Sequence, residues 1–409
     1  MKTDVVVIGG GVAGAASAFF LAIKGLRVVV LDKTRFPRDK ICTSTVNPRT
    51  MTYLLQMGVM KELLKDGMLP VEGMQGVSYE GNSFRGYYGE SHYPYVNFGH
   101  TIPRHRLDSA MADRIKALPN VEFLEDWAVE EVLYDASGRA VGVRGNHEGI
   151  VTDIHADMVI DAAGRGSIVA RQNGFFEPVT DHERYAVVCQ FDNVDLPHPL
   201  FTIGTDDQTG PGYYCVFPVT ETTSILGFII DKKVYEKVQA DPGAWVDEYV
   251  RRPDWHCREW LANAVRSTDV VTFGPLAFNS KQITKNGILM VGDTTGFFDP
   301  LTGEGIGNAL RSGELAADTV AKLLGGGADW DAEHEFYAKQ LMSEKKESVD
   351  QLIQMNRMLK RPIVYNRFVD ALSQNQEAAN WAARSFANML PAGERSSGRL
   401  FELVAARQA

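Results

Sequence analysis

Asp4-Val5-Val6-Val7-Ile8-Gly9-Gly10-Gly11-Val12-Ala13-Gly14 is the stretch that decides the fold. Val5 to Ile8 are a continuous β-branched run, the pattern of a strand buried on both faces of a parallel sheet. Gly9, Gly11 and Gly14 follow at the G-x-G-x-x-G spacing. The first allows a tight turn, the second lets backbone approach a pyrophosphate, and the third lets helix and strand pack closely. Ala13, Ala15, Ala16, Ala18 and Leu21 continue as a small-residue helix. Its N-terminus, from Gly11, Val12 and Ala13, offers N–H groups and the positive dipole end to phosphate. Val28 to Leu31 form a second apolar run that ends at Asp32, the carboxylate expected to receive a ribose hydroxyl, with Lys33 beside it. Residues 1–34 therefore read as a β-α-β dinucleotide-binding unit.

A second signature returns far down the chain. Ile288 to Val291 are another parallel-type strand, followed by Gly292-Asp293 and then by Pro300-Leu301-Thr302-Gly303-Glu304-Gly305-Ile306-Gly307. Ile306, Ala309, Leu310, Gly313, Ala317, Val320 and Ala321 trace the buried stripe of a helix that this turn opens. Two such turns imply that distant segments build one site around one elongated cofactor, which points to FAD. The glycine turn lets a flat ring lie against backbone, and the helix N-terminus favours the negative charge of a reduced flavin.

Composition sets the outer limits. The chain has 409 residues, 44% hydrophobic and 23% charged, with a formal net charge of −10. That is an ordinary globular composition, and its charge argues against a nucleic-acid or anionic-membrane partner. Cys42, Cys189, Cys215 and Cys257 have no metal-like spacing, and no histidine motif for a metal is present, so no metal is expected. No apolar run reaches bilayer length, and the first strand begins almost at once, so a cytoplasmic protein is expected. No nucleophile-elbow motif is present. His100 and His105 read either as acid–base groups or as structural histidines. Glu344-Lys345-Lys346-Glu347 reads as a solvated helix face.

The organisation is α/β with an insertion. Residues 1–75, 100–178 and 276–325 are assigned to a discontinuous Rossmann-like domain, and 76–99 with 179–275 to an inserted antiparallel β-sheet domain. Residues 326–409 form a C-terminal helical region, punctuated by Pro362 and Pro391. Helices are expected over 47–68 and near 242–264. The aromatic cluster Tyr79, Phe84, Tyr87, Tyr88, Tyr93, Tyr95 and Phe98 reads as strands and hairpins of the insertion.

Further motifs carry a family resemblance. Asp161-Ala162-Ala163-Gly164-Arg165-Gly166-Ser167 is similar to a D-A-x-G-x-x-S fingerprint, and Arg104 with Leu107-Asp108 to R-x-x-L-D. Together with both signatures, these resemble the FAD-dependent aromatic hydroxylase and geranylgeranyl reductase superfamily, which includes flavin halogenases, over essentially the whole chain. The resemblance implies that Asp293 binds the ribityl chain and that Arg104 lies near the cofactor. It also places Ala128, Asp161, Gly164, Gly292, Pro300, Gly303, Gly305 and Ile306 around FAD, while Arg38 and Lys40 read either as contacts to the cofactor or NAD(P)H or as solvated surface charge. Phe36-Pro37-Arg38-Asp39-Lys40-Ile41-Cys42 with Pro48 looks like the geranylgeranyl reductase branch, except that Thr43 stands where glycine is usual. Tyr213-Tyr214-Cys215-Val216-Phe217-Pro218 is similar to that branch's Y-x-W-x-F-P strand, with Cys215 in place of tryptophan.

The implied activity is that of an FAD-dependent oxidoreductase acting on a hydrophobic or aromatic small molecule. NAD(P)H is the expected transient reductant, because only one Rossmann fingerprint is visible. Hydroxylation through a C4a-hydroperoxyflavin is favoured, with reduction of a carbon–carbon double bond as the alternative. Halogenation is disfavoured, because Met68–Gly73 lacks the lysine and the chain lacks the W-x-W-x-I-P motif of known halogenases. A non-catalytic flavin carrier is disfavoured too. Cys42, Tyr213, Cys215 and Phe217 are the candidates for the flavin and substrate cavity. Cys42 reads either as a tuner of the flavin or as a small buried filler.

Overall fold

The computed structural model describes residues 2–394 apart from Asp39, Asp66, 91–94 and Ala392. Tyr93 and residues 395–409 therefore lie outside the described residues, as does Asp39 of the reductase-like element.

The first strand, Lys2–Ile8, sits at the centre of a sheet because its valines have no polar face to expose. Val5, Val6 and Val7 are fully buried. It pairs in parallel with Val28–Leu31 on one side and Ile150–Asp161 on the other. Val121–Leu124 and Ile288–Met290 extend the parallel core outward. The register brings Ile8 level with Leu31 and Asp161, and Asp161 level with Met290. Both signatures, Asp32 and the middle fingerprint thus leave the sheet at the same carboxyl edge. That crevice is where open α/β sheets bind ligands.

The insertion forms a second sheet, ordered Val265–Arg266, Arg184–Asp192, Thr223–Asp231, Tyr213–Pro218, Phe201–Gly204, Gly73–Val77, Ser83–Tyr87. All its pairs are antiparallel except Phe201–Gly204 with Gly73–Val77. Side chains alternate across it. Tyr213, Cys215 and Phe217 pack with Leu301 of the second signature and with Leu352 and Tyr365 of the C-terminal helices. Tyr214 and Val216 turn to the opposite face, against Tyr249 and Trp255.

The helices Trp330–Leu359, Pro362–Ser373 and Gln376–Phe386 complete the fold. The last docks directly on strand backbone, since a Cβ on Gly86 would stand 2.0 Å from the Ala379 carbonyl. Pro362 begins its helix, a position where the missing N–H costs nothing.

Two expected helices are interrupted. The 47–68 segment divides into Pro48–Met57, capped by Asn47, and Met60–Leu63. Gly58, at φ 75°, ends the first in the left-handed conformation that glycine adopts freely. In the 242–264 segment the helix stops at Tyr249, and only a short 3-10 turn, Arg258–Leu261, follows Pro253.

Candidate active site

The turn of the first signature is built from close backbone contacts. Gly9 has φ +94°, and a Cβ on Gly14 would stand 1.8 Å from the Gly9 carbonyl oxygen. The helix Val12–Ile23 starts at Gly11 with no capping side chain, which leaves its first-turn N–H groups available. Asp32 is buried and accepts from Gly10 N–H at 2.8 Å, Thr34 N–H at 3.0 Å and Thr34 Oγ1 at 2.7 Å. It therefore braces the turn of the first signature. The Trp127 N–H bonds the Asp32 carbonyl at 2.9 Å, placing neighbouring Ala128 beside it. Lys33 is exposed.

Arg38 reaches across this helix start. Its guanidinium lies 3.6 Å from Asp32 and 3.7 Å from Asp108, and Nη2 lies 3.0 Å from where a Gly11 Cβ would be. Its Nε is buried with no hydrogen-bond partner. An under-satisfied cation above an uncapped helix N-terminus fits a pyrophosphate. Arg104 is buried and held by Asp108 through two hydrogen bonds of 2.8 Å, and the Cys42 side chain is close enough to act on its charge. Sequence reasoning placed Arg104 near the cofactor but did not foresee its closeness to Cys42.

The turn of the second signature is docked onto the same helix. A Cβ on Gly292, at φ +64°, would meet the Ala13 Cβ at 2.7 Å. Asp293 projects from this turn with its side chain 36% exposed, and Lys40 Nζ lies 3.8 Å from its Oδ2. Arg38 therefore lies beside Asp32 and Lys40 beside Asp293, one basic residue at each signature. Gly303 has φ +64°, and the helix Gly305–Leu324, which includes Ile306, also begins without a capping side chain. Pro300 is half-buried just before it.

The middle fingerprint closes the site from the sheet. Asp161 is fully buried and accepts from the Ser167 hydroxyl and from Ala163 N–H at 3.1 Å. Burial pushes its pKa up to about 6 against the pull of Ser167. Both carboxylate oxygens bind within the fingerprint, so Asp161 shapes the turn that carries Gly164. A Cβ on Gly164, at φ +61°, would lie 3.8 Å from the Asp293 Cβ. Arg165 stacks over Phe278 at 4.3 Å, and burial lowers its pKa, with Asp293 acting the other way.

On the sheet side, the two departures from the reductase pattern meet. A Cβ on Gly227 would stand 2.6 Å from Thr43 Cγ2 and 3.9 Å from the Cys215 Cβ. Burial raises the Cys215 thiol pKa. Nearby, Tyr213 donates to Asp299 Oδ1 at 2.8 Å, while His182 Nε2 lies 2.7 Å from Asp299 Oδ2. His182 stacks on Phe298 with ring centroids 4.4 Å apart. Sequence reasoning missed Asp299 and His182, which are 117 positions apart and share no motif. His100 bonds the Leu69 carbonyl at 2.9 Å and burial lowers its pKa, so it is a structural histidine; His105 is exposed on its helix.

The charge run 344–347 departs from expectation. Of its four residues only Lys346 is exposed. Glu344 binds Arg311 at 2.8 Å, and the Lys345 ammonium is turned inward onto Thr295 and Gly296. A run of charges carries no period that marks one residue facing inward, so sequence gave no signal. Among the described residues, no cluster of potential metal ligands is present, and no helix is long and apolar enough to cross a membrane.

The model for the FAD binding domain family matches residues 2–343. The chain belongs to that family. It is an FAD-dependent oxidoreductase family. Among curated proteins, the chain is 24% identical over 350 residues to the 1H-pyrrole-2-carbonyl-[peptidyl-carrier protein] chlorinase of Pseudomonas fluorescens, covering 78% of this chain and 76% of the relative. It is 28% identical over 337 residues to the digeranylgeranylglycerophospholipid reductase of Methanothrix thermoacetophila, covering 80% of each. The solved structure of the flavin-dependent brominase Bmp2 shares the fold, with a TM-score of 0.83 at 20% identity over 100% of this chain and 99% of that one.

Proposed function

We propose that this flavoprotein hydroxylates a small aromatic or otherwise apolar molecule, using a transiently bound nicotinamide as reductant and dioxygen as co-substrate. The observation that carries this reading is the meeting of Thr43 and Cys215 at Gly227. In the reductase-like pattern these places hold glycine and tryptophan. Here a threonine methyl fills the space above Gly227, and the large indole is absent beside it. The wall is therefore recut at the point where an isoprenoid-type substrate would be recognised.

Bound FAD would supply the redox chemistry. The chain's own residues do the rest. The Gly11 and Arg38 region would hold the pyrophosphate, and Asp293 the ribityl chain. Phe201, Ile203, Tyr213, Phe217 and Leu301 belong to one buried apolar cluster on this side of the sheet, which would favour a desolvated ring over water. Asp299 fixes the Tyr213 hydroxyl, which can hold a proton at its oxygen with His182 behind it. Substrate, O2, NAD(P)H and a proton give hydroxylated product, water and NAD(P)+.

Reduction of a carbon–carbon double bond is the second reading. It is supported by Cys42, which ends the reductase-like element and acts on Arg104, and by the archaeal reductase relative. The chlorinase relative makes halide a necessary variable. The test mixes anaerobically reduced enzyme and candidate aromatic substrates with oxygen, with and without bromide, and weighs the products. Hydroxylation predicts oxygen-dependent gain of one oxygen atom with or without bromide. Full anaerobic turnover to a product two hydrogens heavier, or bromide incorporation, overturns it.

A further inference from the structure

The turn that follows Asp293 is held by a lysine from the C-terminal helices. Lys345 Nζ donates to the Thr295 carbonyl at 2.8 Å, to Thr295 Oγ1 at 2.8 Å and to the Gly296 carbonyl at 2.7 Å. Thr295 Oγ1 in turn donates to the Gly292 carbonyl at 2.7 Å, and the Gly296 N–H returns to the Asp293 carbonyl at 3.0 Å. One ammonium thus secures both ends of the turn that presents Asp293.

All three protons of that ammonium go to neutral oxygens. The charged groups beside it on its own helix are already engaged. Glu344 is bound to Arg311, Lys346 to Asp350, and Glu347 accepts from Gly393 N–H. Asp293 is the charged group that acts on Lys345, and it is shared with Lys40 at 3.8 Å and with Arg165. The turn therefore holds more positive than negative charge. A cation withdrawn from water without a dedicated counter-ion is costly, and a negative charge arriving nearby relieves that cost.

We propose that Lys345 is a positioning residue for the flavin ring, and that its charge makes the site bind reduced, negatively charged FAD more tightly than oxidised FAD. This rests on the FAD reading alone and holds whichever substrate is oxidised or reduced. Two electrons and one proton from the reductant leave one net negative charge on the ring, and that charge completes the lysine's surroundings. By linkage, reduction also tightens the lysine's hold on its proton. Burial has brought that proton's pKa down to about 8, so above this pH reduction takes up a further proton at Lys345.

The test uses the full chain and its Lys345→Met and Lys345→Arg variants. Affinity for oxidised FAD is read by flavin fluorescence quenching, and the midpoint potential by dithionite titration against a reference dye across pH 6 to 9.5. Lys345→Met is expected to loosen the turn that presents Asp293 and so to weaken FAD in both oxidation states, the reduced form more. It should lose roughly tenfold of the preference for reduced FAD, a fall of about 30 mV for a two-electron couple. Lys345→Arg should keep the preference. In the parent chain the potential should fall more steeply with pH above about 8, and in Lys345→Met it should not. An unchanged potential in Lys345→Met overturns the proposal. If Lys345→Met does not fold, the parent chain and Lys345→Arg decide, and a constant slope through pH 8 overturns it. Failure of the parent chain to bind FAD would instead refute the cofactor reading.

Discussion

Gly313 and Ser17 are in backbone contact: a Cβ on Gly313 would stand 2.8 Å from the Ser17 nitrogen and 3.0 Å from the Ala13 carbonyl oxygen. The helices behind the two signatures cross at this point, so the distance between their N-termini depends on a missing side chain. Gly313→Val should push them apart at a cost of about 1–3 kcal/mol, the usual range for overpacking. Melting temperature and FAD occupancy should fall together, read by calorimetry and by the flavin absorbance of the purified protein.

Two glycines of the first signature should fail in different ways. Gly14→Ala places a methyl 1.8 Å from the Gly9 carbonyl oxygen, so the apo protein itself should be destabilised by several kcal/mol or not fold. At Gly11 a Cβ meets only the flexible end of Arg38, at 3.0 Å. Gly11→Val should therefore leave the apo melting temperature within a few degrees of the parent chain. Equal losses at both positions would contradict this division between packing and ligand approach.

Much of the site was legible because its chemistry demands residue types at fixed spacing. A turn that must admit a pyrophosphate needs Gly9, Gly11 and Gly14 in sequence, and a parallel strand ending in a carboxylate announces Asp32 and Asp161. Those constraints are local, so one pass along the chain finds them. Asp299 with His182 and Lys345 with Thr295 are contacts across 117 and 50 positions, made by side chains that fit no period. Such pairs become visible only once two sheets and the C-terminal helices are docked. The exception is instructive: Thr43 and Cys215 were each conspicuous alone, and only the packing at Gly227 showed them to be one feature.

The half-buried Lys345 makes stability depend on pH in a definite direction. Its folded pKa of about 8 lies below the ordinary 10.5, so between these values the folded chain carries fewer protons there than the unfolded chain. Stability should rise with pH across that window, and the penalty should be complete below pH 8, at roughly 3 kcal/mol. The melting temperature of the apo parent chain, relative to Lys345→Met, should climb from pH 8 to pH 10. A flat or falling difference would show that the ammonium is well solvated.

Restoring the reductase-like residues should reveal the coupling at Gly227. Cys215→Trp alone forces an indole into the place that Thr43 shares, and should destabilise by about 1–3 kcal/mol. Thr43→Gly in the same chain should recover part of that loss. Urea unfolding of both single variants and the double variant measures the non-additivity expected of side chains that share one space. Simple additivity would mean that the two departures are independent.

The central claim is that two signatures nearly three hundred residues apart hold the two ends of a single FAD. Flavin stoichiometry in the purified parent chain, in Gly11→Val and in Asp293→Ala tests it most directly. The account predicts one FAD per parent chain, released on denaturation as the intact dinucleotide, and loss of most flavin in each variant while the apo fold persists. Full occupancy in both variants would contradict it.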